Sequence, residues 1–264
     1  MKIGSSNDTE AVKAQYATSK GLDTRISFHD TYSTNKQGFG NWIVSNYELR
    51  EGMKVLELGC GNGKDWFGHN DLIAKLDRLV MTDFSEGMVE AAKKNLGELS
   101  NVEFKQADIE KLPFEDKSFD VVIANMMLYH VPDIVKGIGE ARRVLKDGGV
   151  FYCATFGEHN FTDYLAKWFS LGGESFNPNH NFTLDNGEAK LKTAFSNVEI
   201  LHYEDTLQVT DIDALVDYML SLASFKAIMD IPVQKIKDIL SKHVVNGVIS
   251  LPKDYGMFAA KGVK

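Results

Sequence analysis

VLELGCGNGKDW (Val55–Trp66) runs a mostly apolar segment straight into glycines at positions 59, 61 and 63, with only Cys60 and Asn62 between them. Three glycines after a strand are a weak signal alone, because turns need glycine in any fold. What surrounds them narrows the reading. A phosphate-binding P-loop needs Gly-Lys followed by Ser or Thr, and here Gly63-Lys64 is followed by Asp65. The dinucleotide fingerprint G-x-G-x-x-G fails too, since its third glycine falls on Lys64. Glu57 stands just before the loop, where it repels a pyrophosphate and suits a cation.

Outward from this stretch, strand-like segments recur at Met53–Gly59, Arg78–Phe84, Val102–Asp108, Phe119–Asn125 and Gly149–Phe156. Helical patterns separate them. Ser85–Leu99 has an apolar face and an N-cap in Ser85, and Asp133–Gly149 ends on basic residues with Gly148 as its stop. Strand alternating with helix means parallel strands joined by crossovers, hence an α/β doubly wound sheet. Ligands of such sheets sit at the carboxyl ends of the strands. Beyond Phe156 the alternation loosens into helices near Phe161–Gly173, Asp211–Phe225 and Val233–Val245, with strands at Asn197–Val209 and Gly247–Gly262. Pro252 places the last strand at an edge or bulge. The expected organisation is one domain over residues 1–264, with a lid in 1–50, a ligand-binding core in 51–156 and helical lid insertions in 157–264.

Composition bounds the partners. The chain has 264 residues, 44% of them apolar, and a net charge of -8, which argues against a surface that tracks nucleic acid. Two cysteines, Cys60 and Cys153, make neither a disulfide framework nor a metal site. The start lacks a signal-peptide core, and the most apolar run, Val121–Val131, is too short to span a bilayer. A cytoplasmic protein is expected.

Asp83 ends the second strand, where an acid accepts both hydroxyls of a ribose. Asp108 ends the third in QADIEKLPF, placed to accept from an adenine amino group while Ile109 packs the ring. Each alone is more often a cap or turn residue, but together with Glu57 and the glycines they end three successive strands.

In VLELGCGNG, VMTDFSEGM, QADIEKLPFEDKSFDVVIANMMLYHV and EARRVLKDGGVFYCATF, the chain resembles the class I S-adenosylmethionine-dependent methyltransferases, especially the branch acting on small molecules and quinone precursors. The resemblance covers Met53 to Phe156. It implies a seven-stranded Rossmann-like sheet whose last strand is antiparallel. It also implies that Glu57–Gly63, with Gly59, Cys60, Gly61, Asn62 and Gly63, cradles the methionine portion of S-adenosyl-L-methionine. Asp83 then holds the ribose, Phe84 and Met88 flank the adenine, Asp108 and Ile109 bind its edge, and Asn125 lies near the methyl group. The physics agrees: this cofactor carries no phosphate, and its ammonium and sulfonium suit Glu57. On this reading the glycines let backbone approach a nucleoside-linked amino acid.

The candidate catalytic residues are His130 and Tyr129 in LYHV, and His29 in the N-terminal lid. For His130 the competing role is a hydrogen bond to the helix start after Pro132. Tyr32 is placed to cap the cofactor, and Arg25 to pair with its carboxylate or with surface groups. Cys60 has no evident base partner and reads as a small residue in a tight loop. Trp168, Phe169 and Phe176 are core residues or the walls of an aromatic pocket. Methyl transfer to a small molecule is the leading function. Its rivals are a cofactor-binding protein without turnover and a nicotinamide-dependent oxidoreductase. Methylation of RNA or protein is disfavoured, because Met-Met-Leu follows Asn125 where Pro-Pro-aromatic is required.

Overall fold

A computed structural model describes residues 20–170 and 179–264. Seven strands form one sheet in the order β3-β2-β1-β4-β5-β7-β6. They are β1 (Lys54–Leu58), β2 (Arg78–Asp83), β3 (Val102–Gln106), β4 (Phe119–Ile123), β5 (Leu145–Phe156), β6 (Asn197–Val209) and β7 (Ile249–Lys261). The first five run parallel, and β7 lies antiparallel between β5 and β6. Chain order reverses between β1 and β4, so a crevice opens at their carboxyl ends, where ligands of such sheets bind. The central strands are buried on both faces and read as near-continuous apolar runs, as helices on both sides require.

Helices α1 (Lys20–Tyr32) and α2 (Phe39–Ser45) precede the sheet. A short turn of helix, α3 (Asn70–Ile73), leads to β2, and α4 (Glu86–Leu96) follows it. Ser85 caps α4 through its hydroxyl, which accepts from the Met88 N–H at 3.4 Å, as its position before the apolar face predicts. After β4 come α5 (Ile134–Val144), α6 (Phe161–Trp168), α7 (Gly187–Leu191), α8 (Ile212–Leu220) and α9 (Val233–Ser241).

Helix α5 stops earlier than its sequence pattern suggests. Leu145, extended at φ -79° and ψ 131°, leaves the helix and pairs with Phe119, so LKDGG belongs to β5 and not to the helix. Burial decides it: Leu145 is fully enclosed, and Gly149 packs where an added Cβ would lie 2.7 Å from the Asp120 carbonyl. Pro252 sits in the part of β7 that precedes Tyr255 and has only β6 beside it, consistent with an edge.

Two apolar layers fill the faces of the sheet, one around Val122, Phe151 and Phe258 and the other around Val55, Trp66 and Tyr152. A third cluster, with Phe28, Phe161, Tyr218, Phe225 and Tyr255, joins α1, α6, α8 and the start of β7. It fastens the N-terminal helix over one end of the sheet. Phe182 is fully buried against Phe258 in the first layer; Phe176 lies outside the described residues.

Candidate functional site

The turn after β1 brings Gly59, Gly61 and Gly63 into the left-handed region, with φ of 69°, 54° and 78°. L side chains rarely adopt this conformation, so glycine is required by the backbone itself. The space beside these glycines belongs to protein atoms. A Cβ on Gly59 would lie 2.7 Å from Met127 Cγ, one on Gly63 2.4 Å from Leu96 Cδ1, and one on Gly61 3.3 Å from Leu22 Cδ2. At Gly61 the close neighbour is therefore α1, through Leu22. Helix α1 also grips the loop through polar groups: Asn62 Nδ2 donates to Asp23 Oδ1 at 2.8 Å, and Lys64 pairs with Asp30.

Asp83 closes the crevice from β2. Its Oδ2 accepts from Gly61 N at 2.9 Å and its Oδ1 from Ser85 N at 2.8 Å. Burial raises its pKa against the pull of these N–H groups. A carboxylate offers about four acceptor sites, so lone pairs remain for a diol.

Beneath the loop lies a polar floor. Glu57 is buried at 3% exposure, and its Oε2 accepts from the Trp66 indole N–H at 2.8 Å. Burial, Asp65 and Asp83 push it up to about 8, against the indole hydrogen bond. Asn125 Nδ2 donates to Tyr47 Oη at 2.7 Å and to Asp65 Oδ2 at 3.1 Å. Its Oδ1 is buried without a donor. Burial also raises Asp65. Asp65 and Tyr47 escaped sequence reading, where Asp65 served only to exclude a P-loop. They reach Asn125 across 60 and 78 positions, beyond any local pattern.

The adenine-side candidates are placed unevenly. Met88 is fully buried on α4 and Phe84 half-buried, its carbonyl accepting from Gln106 Nε2 at 2.9 Å. Ile109 is buried in the core layer beside Leu112 and Val131. Asp108 is exposed, and its Oδ1 accepts from Glu110 N at 2.9 Å as a turn residue does. Cys60 is a free, buried thiol raised well above its usual pKa by burial, which is no nucleophile.

On the opposite side of β4, His29 packs edge-on against Phe161 and Tyr218, with ring centroids 5.6 and 5.4 Å away. Its Nε2 lies 3.4 Å from Tyr218 Oη and 3.5 Å from Tyr255 Oη, and its Nδ1 is buried without a partner. Burial, helped by Lys253, holds its pKa down to about 3, so the imidazole is neutral. Arg25 donates to the Ser221 carbonyl at 2.9 Å, tying α1 to the end of α8. Tyr32 packs on Phe28 beside a surface groove between α1 and Ala214. His130 and Tyr129 occupy a 3-10 turn after β4, and the Tyr129 ring lies 5.0 Å from Phe156. Trp168 stacks on His243 at 3.8 Å.

The end of β4 joins the two sides. Asn125 belongs to the polar floor, Met126 packs into the aromatic cluster, and Met127 covers Gly59. Met126 takes φ 50°, a left-handed conformation that costs a non-glycine residue about 1–3 kcal/mol and concentrates at functional sites.

The donor set fits S-adenosylmethionine: an acceptor-rich floor with an orphaned Asn125 Oδ1 for a cation, and Asp83 for a ribose. Residues 49–196 match the family described as a methyltransferase domain. Demethylmenaquinone methyltransferase of Staphylococcus aureus is 37% identical over 112 residues, 42% of this chain and 46% of its own length. The chain thus spans about half the length of that relative. In shape it is similar to the 4+2 cyclase SpnF, with TM-score 0.59 and 18% identity over 99% of this chain and 98% of that one. It is also similar to phosphoethanolamine N-methyltransferase 2 of Haemonchus contortus, solved with phosphomonomethylethanolamine and S-adenosylhomocysteine. There the TM-score is 0.59 and the identity 18%, over 99% of this chain and 61% of that one. The match over more than half of its residues, on this sheet and this glycine loop, makes the chain a member of the class I S-adenosylmethionine-dependent methyltransferases.

Proposed function

We propose that the chain transfers the methyl group of S-adenosylmethionine to an O, N or C atom of a small-molecule acceptor by in-line displacement. The observation that carries this reading is the end of β4, where Asn125 faces the polar floor and Met126 enters the aromatic cluster around His29. A mostly apolar enclosure with a few polar groups suits a small organic acceptor. The net charge of -8 and two free, buried cysteines support a cytoplasmic protein that does not take nucleic acid. No helix among the described residues is long and apolar enough to cross a membrane.

S-adenosylmethionine, when bound, supplies a methyl group activated by its sulfonium. Asp83 accepts from the ribose hydroxyls, and the Glu57–Gly63 turn holds the amino-acid portion. Helix α1 covers that turn and excludes water, which keeps an acceptor aligned for attack. His29, neutral and nearly non-basic, accepts or donates a hydrogen bond that orients the acceptor. It is too weak a base to take a proton at neutral pH. His130 is the base where the acceptor carries a proton. Release of S-adenosylhomocysteine with a panel of phenols, amines and quinols tests the reading; His130→Ala lowers kcat, and His29→Phe raises KM.

A second reading, a cofactor-holding protein without methyl transfer, is favoured by the likeness to a cyclase along almost the whole chain. Conversion of an organic substrate with no S-adenosylhomocysteine released distinguishes it.

A further inference from the structure

Asn125 follows the end of β4, at the crevice where the chain order of the sheet reverses. It is only 8% exposed, so its polar atoms have to be served from within the fold or by a ligand. The amide nitrogen is fully used. Its Nδ2 donates to Tyr47 Oη at 2.7 Å and to Asp65 Oδ2 at 3.1 Å, which spends both of its N–H groups. Its Oδ1 is buried without a donor.

The two partners act differently on the amide. A carboxylate only accepts, so Asp65 takes an N–H and repels the amide oxygen. Burial raises the pKa of Asp65, while the Asn125 hydrogen bond, Lys64 and His69 favour its charged, accepting form. A phenol donates or accepts, so Tyr47 tolerates either end of the amide and fixes where it lies. Asp65 therefore decides which way Asn125 points. Both partners are themselves held. Gly40 lets α2 close over Asp65, since a Cβ there would lie 2.9 Å from its Oδ1. The Tyr47 ring lies 5.0 Å from Tyr152 and 6.4 Å from Trp66. On either side of Asn125 the backbone is tied to β5, through Ala124 N to the Tyr152 carbonyl and Met126 N to the Ala154 carbonyl, each at 2.8 Å. The amide cannot turn to find a donor without giving up the two it serves. A buried acceptor left in this way is costly, and a ligand that brings a donor removes the cost.

We propose that Tyr47 and Asp65 are positioning residues that lock the Asn125 amide with Oδ1 presented to the ligand, where it accepts from the ammonium group of the cofactor. The inference rests on the S-adenosylmethionine reading of the site and deepens it. Neither Tyr47 nor Asp65 touches the ligand in this account; both act through Asn125. Their joint effect is selectivity, because an amide fixed as an acceptor favours a ligand that carries the amino group over one that lacks it.

The test compares, by calorimetry, S-adenosylhomocysteine with its deaminated analogue, which lacks only the amino group. The wild-type protein is expected to prefer the amino-bearing ligand by about tenfold or more, the size of one hydrogen bond to a charged group. Asp65→Asn lets the amide turn, and the preference is expected to fall by about tenfold. Tyr47→Phe removes one anchor, keeps the Asp65 contact and is expected to lower the preference by about threefold. A merely structural role lowers Tm and weakens both ligands alike, leaving their ratio unmoved. That result in Asp65→Asn overturns the proposal. Should Asp65→Asn fail to fold, an unchanged ratio in Tyr47→Phe overturns it. Equal affinity of the wild type for the two ligands also overturns it and leaves the cofactor reading standing. Absence of binding by either ligand overturns the cofactor reading and the proposal with it.

Discussion

The ammonium of Lys253 lies 2.8 Å from Asp205 Oδ2, and neither side chain reaches solvent, at 1% and 0% exposure. Lys253 also donates to Ser33 Oγ at 2.9 Å, and Asp205 Oδ1 accepts from Asn35 N at 2.9 Å. The pair therefore pins the connector between α1 and α2 to β6 and β7. Burial works to raise Asp205, but the hydrogen bonds from Lys253 and Asn35 outweigh it and hold the pKa below the usual range. Its stabilisation is present above that range and is lost as pH falls through the folded-state value. Lys253→Met leaves a buried carboxylate unpaired and is expected to cost about 3–5 kcal/mol in chemical denaturation. Combining it with Asp205→Leu recovers part of that loss. A single-variant cost below about 1 kcal/mol is the size of an exposed pair and contradicts the pin.

With its C-terminal end anchored there, α1 is expected to open about the Ser33–Asn35 connector if it acts as a lid. Hydrogen exchange is expected to show S-adenosylhomocysteine raising protection in Arg25–Trp42 as well as in Glu57–Gly63. Protection confined to the glycine loop leaves α1 as fixed packing.

The glycines of the loop differ in tolerance. Gly63→Ala meets Leu96 Cδ1 at 2.4 Å and Ala92 Cβ at 3.3 Å, whereas Gly61→Ala meets only Leu22 Cδ2 at 3.3 Å. Both are strained by positive φ, at a cost exceeding about 1 kcal/mol. Gly63→Ala is expected to lower Tm clearly more than Gly61→Ala, which mainly weakens cofactor binding by pushing α1 outward. Equal shifts in Tm contradict this ranking.

Asp83 serves two backbone N–H groups besides its proposed role toward the ribose, so Asp83→Ala removes more than a ligand contact. A loss of about 2–3 kcal/mol in S-adenosylhomocysteine affinity is expected. Asp83→Asn keeps an acceptor for one N–H and separates the loop from the ribose. Unchanged calorimetric affinity in both variants places the ribose elsewhere.

His29 links stability to pH. Its folded pKa, about 3, lies below the ordinary histidine value of 6.5, so the unfolded chain binds the extra proton between those values. Stability is then full above pH 6.5 and falls by at most about 1.4 kcal/mol per unit below it. Partial exposure of the residue reduces that slope. His29→Phe removes the orphaned Nδ1 and is expected to flatten the loss between pH 6.5 and 4. A denaturation midpoint with the wild-type pH slope in this variant assigns the acid sensitivity to other groups.

What the sequence determined by itself was local or periodic. Val55–Gly63 announced a strand meeting a left-handed turn, because apolar runs and glycine spacing act within a few residues. The alternation of strands and helices led to the doubly wound sheet, and Ser85 to the start of α4, through its reach to Met88 only three positions away. The tertiary structure decided whatever depends on distant partners. Leu145 left its helix because Phe119 offered a place in the sheet, and Phe182 found its partner in Phe258, 76 positions further along the chain. Asp65 joined Asn125, and Lys253 joined Asp205, across 60 and 48 positions. The energy of a buried charge is set by what surrounds it in space, which no run of neighbouring residues encodes. The glycine loop was therefore readable from the chain, while the acids and amide beneath it took their meaning only when the fold closed around them.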